Sequence, residues 1–211
     1  MRKLILTTAA VAAAIAGAFA AEPSFGTFTD TRDGQTYKTA KMPDGKTWMT
    51  QNLNYQTKSG SWCYKNDTSY CDKYGRLYGW ETAKKNCPPG WHLPTRKEWD
   101  NLVKAVGGTS DISLAFKAHT ADKQLKAKSG WKDYKGKSGN GTDDYGFSAL
   151  PTGGRRDGAF GEAGLNGYWW TASSCVDFFA CLYSGCRIDG LYEDFCNEKH
   201  SFAVRCVADG P

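Results

Sequence analysis

The sequence predicts an α+β fold: short strands around an aromatic core, with loops held by disulfides. Three observations predict it. Glycine-punctuated segments that alternate polar and aromatic residues recur along the chain, and one strong helix signature stands near its middle. Eight cysteines and 24 glycines accompany eight Trp, eleven Tyr and ten Phe, while Leu, Ile and Val are sparse. Such a chain builds its core from rings between sheets, so a helix bundle is excluded. The disulfides supply roughly 2–4 kcal/mol each to a modest aliphatic core.

The first twenty residues read as a secretory leader. Arg2 and Lys3 form its positive start, residues 4–19 an apolar run interrupted by Thr7, Thr8 and Gly17, and Ala18-Phe19-Ala20 a small-x-small cleavage site. The run is too short and too alanine-rich to span a membrane comfortably, and no later stretch is long enough. No cysteine follows the cleavage site, so a lipid anchor is not expected. The mature protein is therefore expected to begin near Ala21 and to be secreted: extracellular, periplasmic or at the cell surface. Its cysteines should be oxidised there. The 211 residues less a 20-residue leader leave 191, which suits one domain over 21–211. A net charge of +5 less the leader's two positives leaves +3, too mild for a nucleic-acid partner.

The elements follow in chain order. Residues 27–53 read as a β-meander, because Asp33-Gly34 and Asp44-Gly45 are turn signals flanked by Thr, Tyr and Trp. Residues 54–75 read as a loop, and Cys63 and Cys71, eight apart, clip it by a local bridge. Residues 81–86 form one or two helical turns before Pro88-Pro89, and residues 91–94 are extended. Thr95 and Glu98 then make a capping box. Trp99, Leu102, Val103 and Val106 follow at helical spacing, and Gly107-Gly108 ends the helix. A weaker helical stretch covers 114–128. Residues 130–146 are a Lys- and Gly-rich loop, and 147–150, 168–172 and 202–207 are short strands.

Several segments carry a resemblance. Cys87-Pro88-Pro89-Gly90-Trp91-His92-Leu93-Pro94-Thr95 continues to Glu98-Trp99. Asp44-Gly45-Lys46-Thr47-Trp48-Met49, Tyr74-Gly75-Arg76-Leu77-Tyr78 and Asp144-Tyr145-Gly146-Phe147-Ser148-Ala149-Leu150-Pro151 match too. Gly167-Tyr168-Trp169-Trp170-Thr171-Ala172-Ser173 and Phe202-Ala203-Val204-Arg205-Cys206-Val207 complete the set. In this order, over about residues 28–207, the chain resembles the Fibrobacter major paralogous domain, a secreted bacterial module. That resemblance names a module without fixing an activity. More distantly, the chain is similar to the C-type-lectin-like fold of formylglycine-generating enzymes and phage receptor-binding proteins. This implies a twisted antiparallel sheet, two helices and long loops on one face. It also implies a bridge from Cys87 to Cys206, joining the two halves of the chain.

Candidate sites divide by chemistry. Cys175, Cys181, Cys186 and Cys196 lie within one 22-residue stretch and allow three disulfide connectivities. An oxidase of the formylglycine-generating type would instead keep two free thiols beside a groove. No two successive cysteines are closer than five residues, and His92, His119 and His200 are scattered, so zinc is not expected. The proline loop of calcium-dependent lectins is missing. Asn140, Asp143 and Asp144 offer oxygens to a hard cation, yet read better as an Asx-rich turn. No cofactor is expected. No serine sits in a glycine elbow, no His lies in a base motif, and Glu193-Asp194 shows no sign of a cleft, so an enzyme is not expected.

Aromatic and arginine side chains remain. Alternation puts Tyr168 and Trp170 on one face of a strand and Trp169 and Thr171 on the other, with one set in the core. The insert 175–199 is rich in rings and charges, and in the wider fold this late segment forms the variable ligand face. The expected ligand-binding residues are Tyr183, Arg187, Asp189, Tyr192 and Asp194 there, with Arg155 and Arg156 in the Gly153-Gly154-Arg155-Arg156-Asp157 loop. The expected partner is a polysaccharide or a cell-surface protein. A purely structural envelope protein is the remaining alternative. Seven Lys against Asp122 and Asp133 give residues 117–137 a local charge of +5, with Trp131 and Tyr134 among them; this run reads as a solvated face.

Overall fold

Tight Asp-Gly turns organise the first sheet. In the computed structural model, which describes residues 23–108, 121–175, 178–185, 191–197 and 199–210, strands β1 (Ser24–Thr29), β2 (Thr36–Lys41) and β3 (Thr47–Met49) form the expected meander. The Gly45 amide donates to the Met42 carbonyl at 2.9 Å, and Asp44 accepts from the Lys46 amide and, at 3.0 Å, from Trp48 Nε1. The turn aspartate thus also holds a core ring. β6 (Trp91–His92) and β13 (Val207–Ala208) complete a five-stranded sheet in the order β1-β2-β3-β13-β6.

The second sheet carries the late strands. β4 (Ser61–Trp62), β5 (Leu77–Gly79), β9 (Asn166–Cys175), β10 (Phe178–Gly185), β11 (Leu191–Cys196) and β12 (His200–Ala203) run in the order β11-β10-β9-β12-β5-β4. A hairpin of β7 (Gly154–Arg156) and β8 (Ala159–Gly161) branches from β12. All strand pairs are antiparallel except β9 with β12, where Ala203 lies opposite Trp169. The architecture is therefore mixed, dominated by antiparallel pairing.

The described residues hold four short α-helices where the resemblance implies two: α1 (Thr68–Tyr74), α2 (Trp80–Ala83), α3 (Arg96–Ala105) and α4 (Ala121–Leu125). α3 has its capping box. Glu98 N donates to Thr95 Oγ1 at 3.2 Å and Thr95 N to Glu98 Oε2 at 2.8 Å, and the helix buries Trp99, Leu102 and Val103. α1 corrects the reading of 54–75 as loop: Asp67 caps it by accepting from Ser69 N. The turns expected at 81–86 are α2, one residue earlier and shorter. α4 is the described part of the stretch expected at 114–128, whose residues 114–120 lie outside the described residues.

Two cores flank β9. Trp169 packs with Trp48, Trp99 and Phe147, whose centroids are 4.8–6.5 Å apart. Tyr168 and Trp170 pack on Phe202 from the other side, at 4.8 and 4.7 Å. Both ring sets of this strand are core, not one, because the strand is sandwiched. Among the described residues, two bridges with both partners in view pin the frame: Cys63 with Cys71, and Cys87 with Cys206, which joins positions 119 apart.

Two late strands expected from the sequence take other forms. The strand expected at 202–207 splits: β12 ends at Ala203, β13 begins at Val207, and the two lie in different sheets. Arg205, fully buried between them, causes the break. Its guanidinium donates to Phe147 O at 2.6 Å, Met49 O and Ser148 O at 3.3 Å, and Asn52 Oδ1 at 3.0 Å, and lies 4.6 Å over the Phe147 ring. Burial pulls its pKa down to about 9, with Asp143 acting against that. No strand forms at 147–150 for the same reason. The carbonyls of Phe147 and Ser148 go to Arg205, while Ser148, at φ 54°, gives its amide and hydroxyl to Asp143. Ala149 retains a single bridge to Lys126.

Candidate functional site

The β7–β8 hairpin gathers the candidate site, and small residues make it possible. Gly153, at φ +64°, turns so closely that a Cβ there would meet the Gly161 carbonyl and the Ala163 backbone. Register then lines up Phe160, Arg155, Ser201 and Gly79 across β8, β7, β12 and β5. Along this row the Arg155 guanidinium reaches Trp62 on β4, 4.5 Å from the ring centroid and 5.7 Å from that of Phe160. Phe160 in turn meets Tyr64 at 5.5 Å, Tyr64 meets Tyr70 at 5.0 Å, and Tyr70 meets Tyr74 at 5.9 Å. Trp62, Tyr70 and Phe160 are half-buried, with surface left for contact.

Arg156 works on the neighbouring face. Its guanidinium lies 4.4 Å over Tyr168, and Nη1 stands 3.4 Å from Glu162 Oε2. That same oxygen accepts the Tyr168 hydroxyl at 2.6 Å. Burial and the Glu162 carboxylate push the Tyr168 phenol well above its ordinary pKa, so it keeps its proton and donates. A groove of about 210 Å³ opens here, lined by Gly154, Arg156, Ala159, Phe160, Gly161 and Glu162. It offers an acid, a base and a ring at one opening.

A larger cleft, about 480 Å³, lies between β1, β2 and residues 146–150, with Phe25 66% exposed on its rim. Its lining has one ring and one charge, Phe25 and Lys38, and lacks the opposed donor and acceptor of the hairpin groove.

Of the residues expected to bind ligand, Arg155 and Arg156 both lie on the hairpin, but only Arg156 lines the groove, and Arg155 turns to Trp62. Register aligns Tyr192, Tyr183 and Tyr168 across β11, β10 and β9, and Asp194 lies opposite Cys181 on β10. Arg187 and Asp189 lie outside the described residues, as does the pairing of Cys175, Cys181 and Cys186. Cys196 is disulfide-bonded. Two of the three candidate cation residues are engaged within the chain: Asp143 accepts from the Ser148 amide and hydroxyl, and Asn140 Oδ1 accepts from Trp131 N at 3.0 Å. Among the described residues, no three His, Cys, Asp or Glu are grouped to hold a metal ion. The basic run is not a wholly solvated face. Lys126 is buried on Asp122 at 2.8 Å and over Trp131, whose ring is core. Its residues 117–120 lie outside the described residues.

Sequence reasoning missed Trp62, Tyr64, Tyr70, Phe160 and Glu162. The cysteines that clip residues 63–71 were the available signal, since an aromatic loop pinned by a disulfide is a rigid one.

The fold and site define a disulfide-tied, aromatic-cored module of mixed α and β structure. The profile of the Fibrobacter succinogenes major domain matches residues 34–208, and the chain belongs to that family. No curated protein and no solved structure matches the chain.

Proposed function

We propose that this protein is a secreted, non-catalytic binding module that recognises carbohydrate through the β7–β8 hairpin and the 175–199 insert. Its fold is read as C-type-lectin-like, supported by the antiparallel sheets and by the bridge between Cys87 and Cys206. The oxidised cysteines support secretion, since disulfides persist outside the cytoplasm.

One observation carries the reading. Arg156 lies on Tyr168 and beside the Glu162 carboxylate at a surface groove, and Arg155, on the same hairpin, lies on Trp62 in a half-buried ring row. Rings stack on the apolar faces of sugars, and guanidinium and carboxylate groups take their hydroxyls. The insert joins through its register, which puts Tyr183 and Tyr192 in line with Tyr168.

Pull-down of the mature protein on soluble and insoluble polysaccharides, with and without EDTA, tests this. Saturable, EDTA-insensitive binding is expected, lost in the Arg155→Ala/Arg156→Ala double variant and weakened in Tyr183→Ala and Tyr192→Ala. Binding to no polysaccharide would overturn it and direct the search to protein partners on the envelope. Alkylation without reductant should label no cysteine; two reactive thiols would favour a formylglycine-generating-type oxidase instead.

A further inference from the structure

Resting on the carbohydrate reading above, we infer that the hairpin groove takes a neutral sugar ring, seated on Phe160 with its hydroxyls shared between Glu162 and Arg156, and excludes uronates. Three observations lead there.

The charges of the hairpin cancel. Arg155, Arg156, Asp157 and Glu162 sum to zero, and Arg156 already faces Glu162 at 3.4 Å. An anionic ligand would meet the Glu162 carboxylate, 40% exposed on the groove wall, before it met an unpaired cation. Like charges at that range repel, whereas a hydroxyl satisfies both walls.

The hydrogen-bonding capacity is also directional. Glu162 Oε2 is occupied by Tyr168 and Arg156, while Oε1 has no partner among the described residues. A carboxylate oxygen accepts, so the group it takes must be a donor: a hydroxyl qualifies and a second carboxylate does not. Arg156 carries more N–H groups than its contacts with Glu162 and Tyr168 engage, and donates to the neighbouring ring or hydroxyl oxygen. An acceptor and a donor side by side are matched by a vicinal diol.

The groove's size completes the argument. About 210 Å³ lies below the roughly 300–1,000 Å³ of pockets for drug-sized ligands, so one sugar ring fills it. Phe160 lines it as the one ring, and Gly161, with open space where a Cβ would stand, lets the sugar approach the backbone.

Calorimetric titration of the mature protein with neutral gluco-, xylo- and manno-oligosaccharides and with oligogalacturonate, at low and high salt, tests the inference. A neutral oligosaccharide is expected to bind with less than about a twofold change between the salts, since no net charge is neutralised. Oligogalacturonate should bind at least tenfold more weakly. Glu162→Gln should weaken neutral binding about tenfold, the loss of a charge-assisted hydrogen bond, and Phe160→Ala should weaken it comparably. Near-UV circular dichroism identifies any variant that has lost its fold. Tighter, salt-sensitive binding of oligogalacturonate, strengthened by Glu162→Gln, would overturn the neutral-sugar inference and leave the binding-module reading standing. Neutral binding indifferent to both substitutions would do the same, by placing the site elsewhere. Binding to neither class would overturn both.

Discussion

Arg205 and Arg155 carry the same guanidinium to opposite uses. Arg205 is wholly buried, spends its donors on three backbone carbonyls and an amide oxygen, and welds residues 147–148 to the junction between the two sheets. Arg155 lies half-buried over Trp62, its guanidinium 4.5 Å from the ring. The first belongs to the segments that resemble a family; the second lies in a stretch with no motif. A buried cation must find every partner in place, so Arg205 serves the scaffold, while Arg155 leaves its guanidinium partly at the surface. Recognition of the module and recognition of its ligand are separate problems in this chain.

Five predictions sharpen that contrast, from the largest effect to the smallest. Replacing Cys87 and Cys206 by Ala should remove about 5 kcal/mol, since the closed loop is long, read as the drop in denaturant midpoint. Arg205→Ala leaves buried carbonyls unpaired and should cost roughly 3–5 kcal/mol, lowering the melting temperature by about 10 °C. Replacing Cys63 and Cys71 by Ala should cost only about 2–3 kcal/mol, their loop being short, yet should weaken glycan binding by loosening Tyr64 and Tyr70.

The fourth concerns pH. Burial pushes the Glu98 carboxyl up, but the Thr95 amide, His92 and Lys46 outweigh it and hold the pKa at about 2, against an ordinary 4.5. A carboxylate with a depressed folded pKa stabilises fully above the ordinary value and loses that contribution as pH falls through the folded one. Glu98→Gln should therefore cost about 2 kcal/mol at neutral pH, and the gap to the parent protein should close between pH 4.5 and 2. The smallest stability effect belongs to Arg155→Ala, within about 1 kcal/mol by thermal melting. Its binding loss, about tenfold by titration, should be the clearest sign that stability and recognition are housed apart.

Much of the scaffold was legible because its signals are local. Asp44-Gly45 and the Thr95 to Glu98 capping box act within a few residues, so spacing alone reveals them. What failed was set by distant partners. Nothing near Phe147 announces that Arg205 will take its carbonyl, so residues 147–150 read as a strand; nothing near Ala203 announces that the chain will change sheets. The short helix after Asp67 lacked hydrophobic periodicity, since it buries only Cys71 and Tyr74. Half of the site was visible as the Arg155-Arg156 pair. Phe160 completes the groove from the next strand of the hairpin, and the remaining rings come from residues 62–74, brought there by sheet register and a disulfide, which sequence proximity does not encode.

The central claim is that the hairpin and its ring row bind while the Arg205 junction only supports. Measuring thermal stability and oligosaccharide affinity together on Phe160→Ala and Arg205→Ala tests it most directly. Phe160→Ala is expected to melt within a few degrees of the parent and to lose binding. Arg205→Ala should melt well below it, yet bind normally at temperatures where it remains folded. Intact binding in Phe160→Ala, or lost binding in folded Arg205→Ala, would contradict the account.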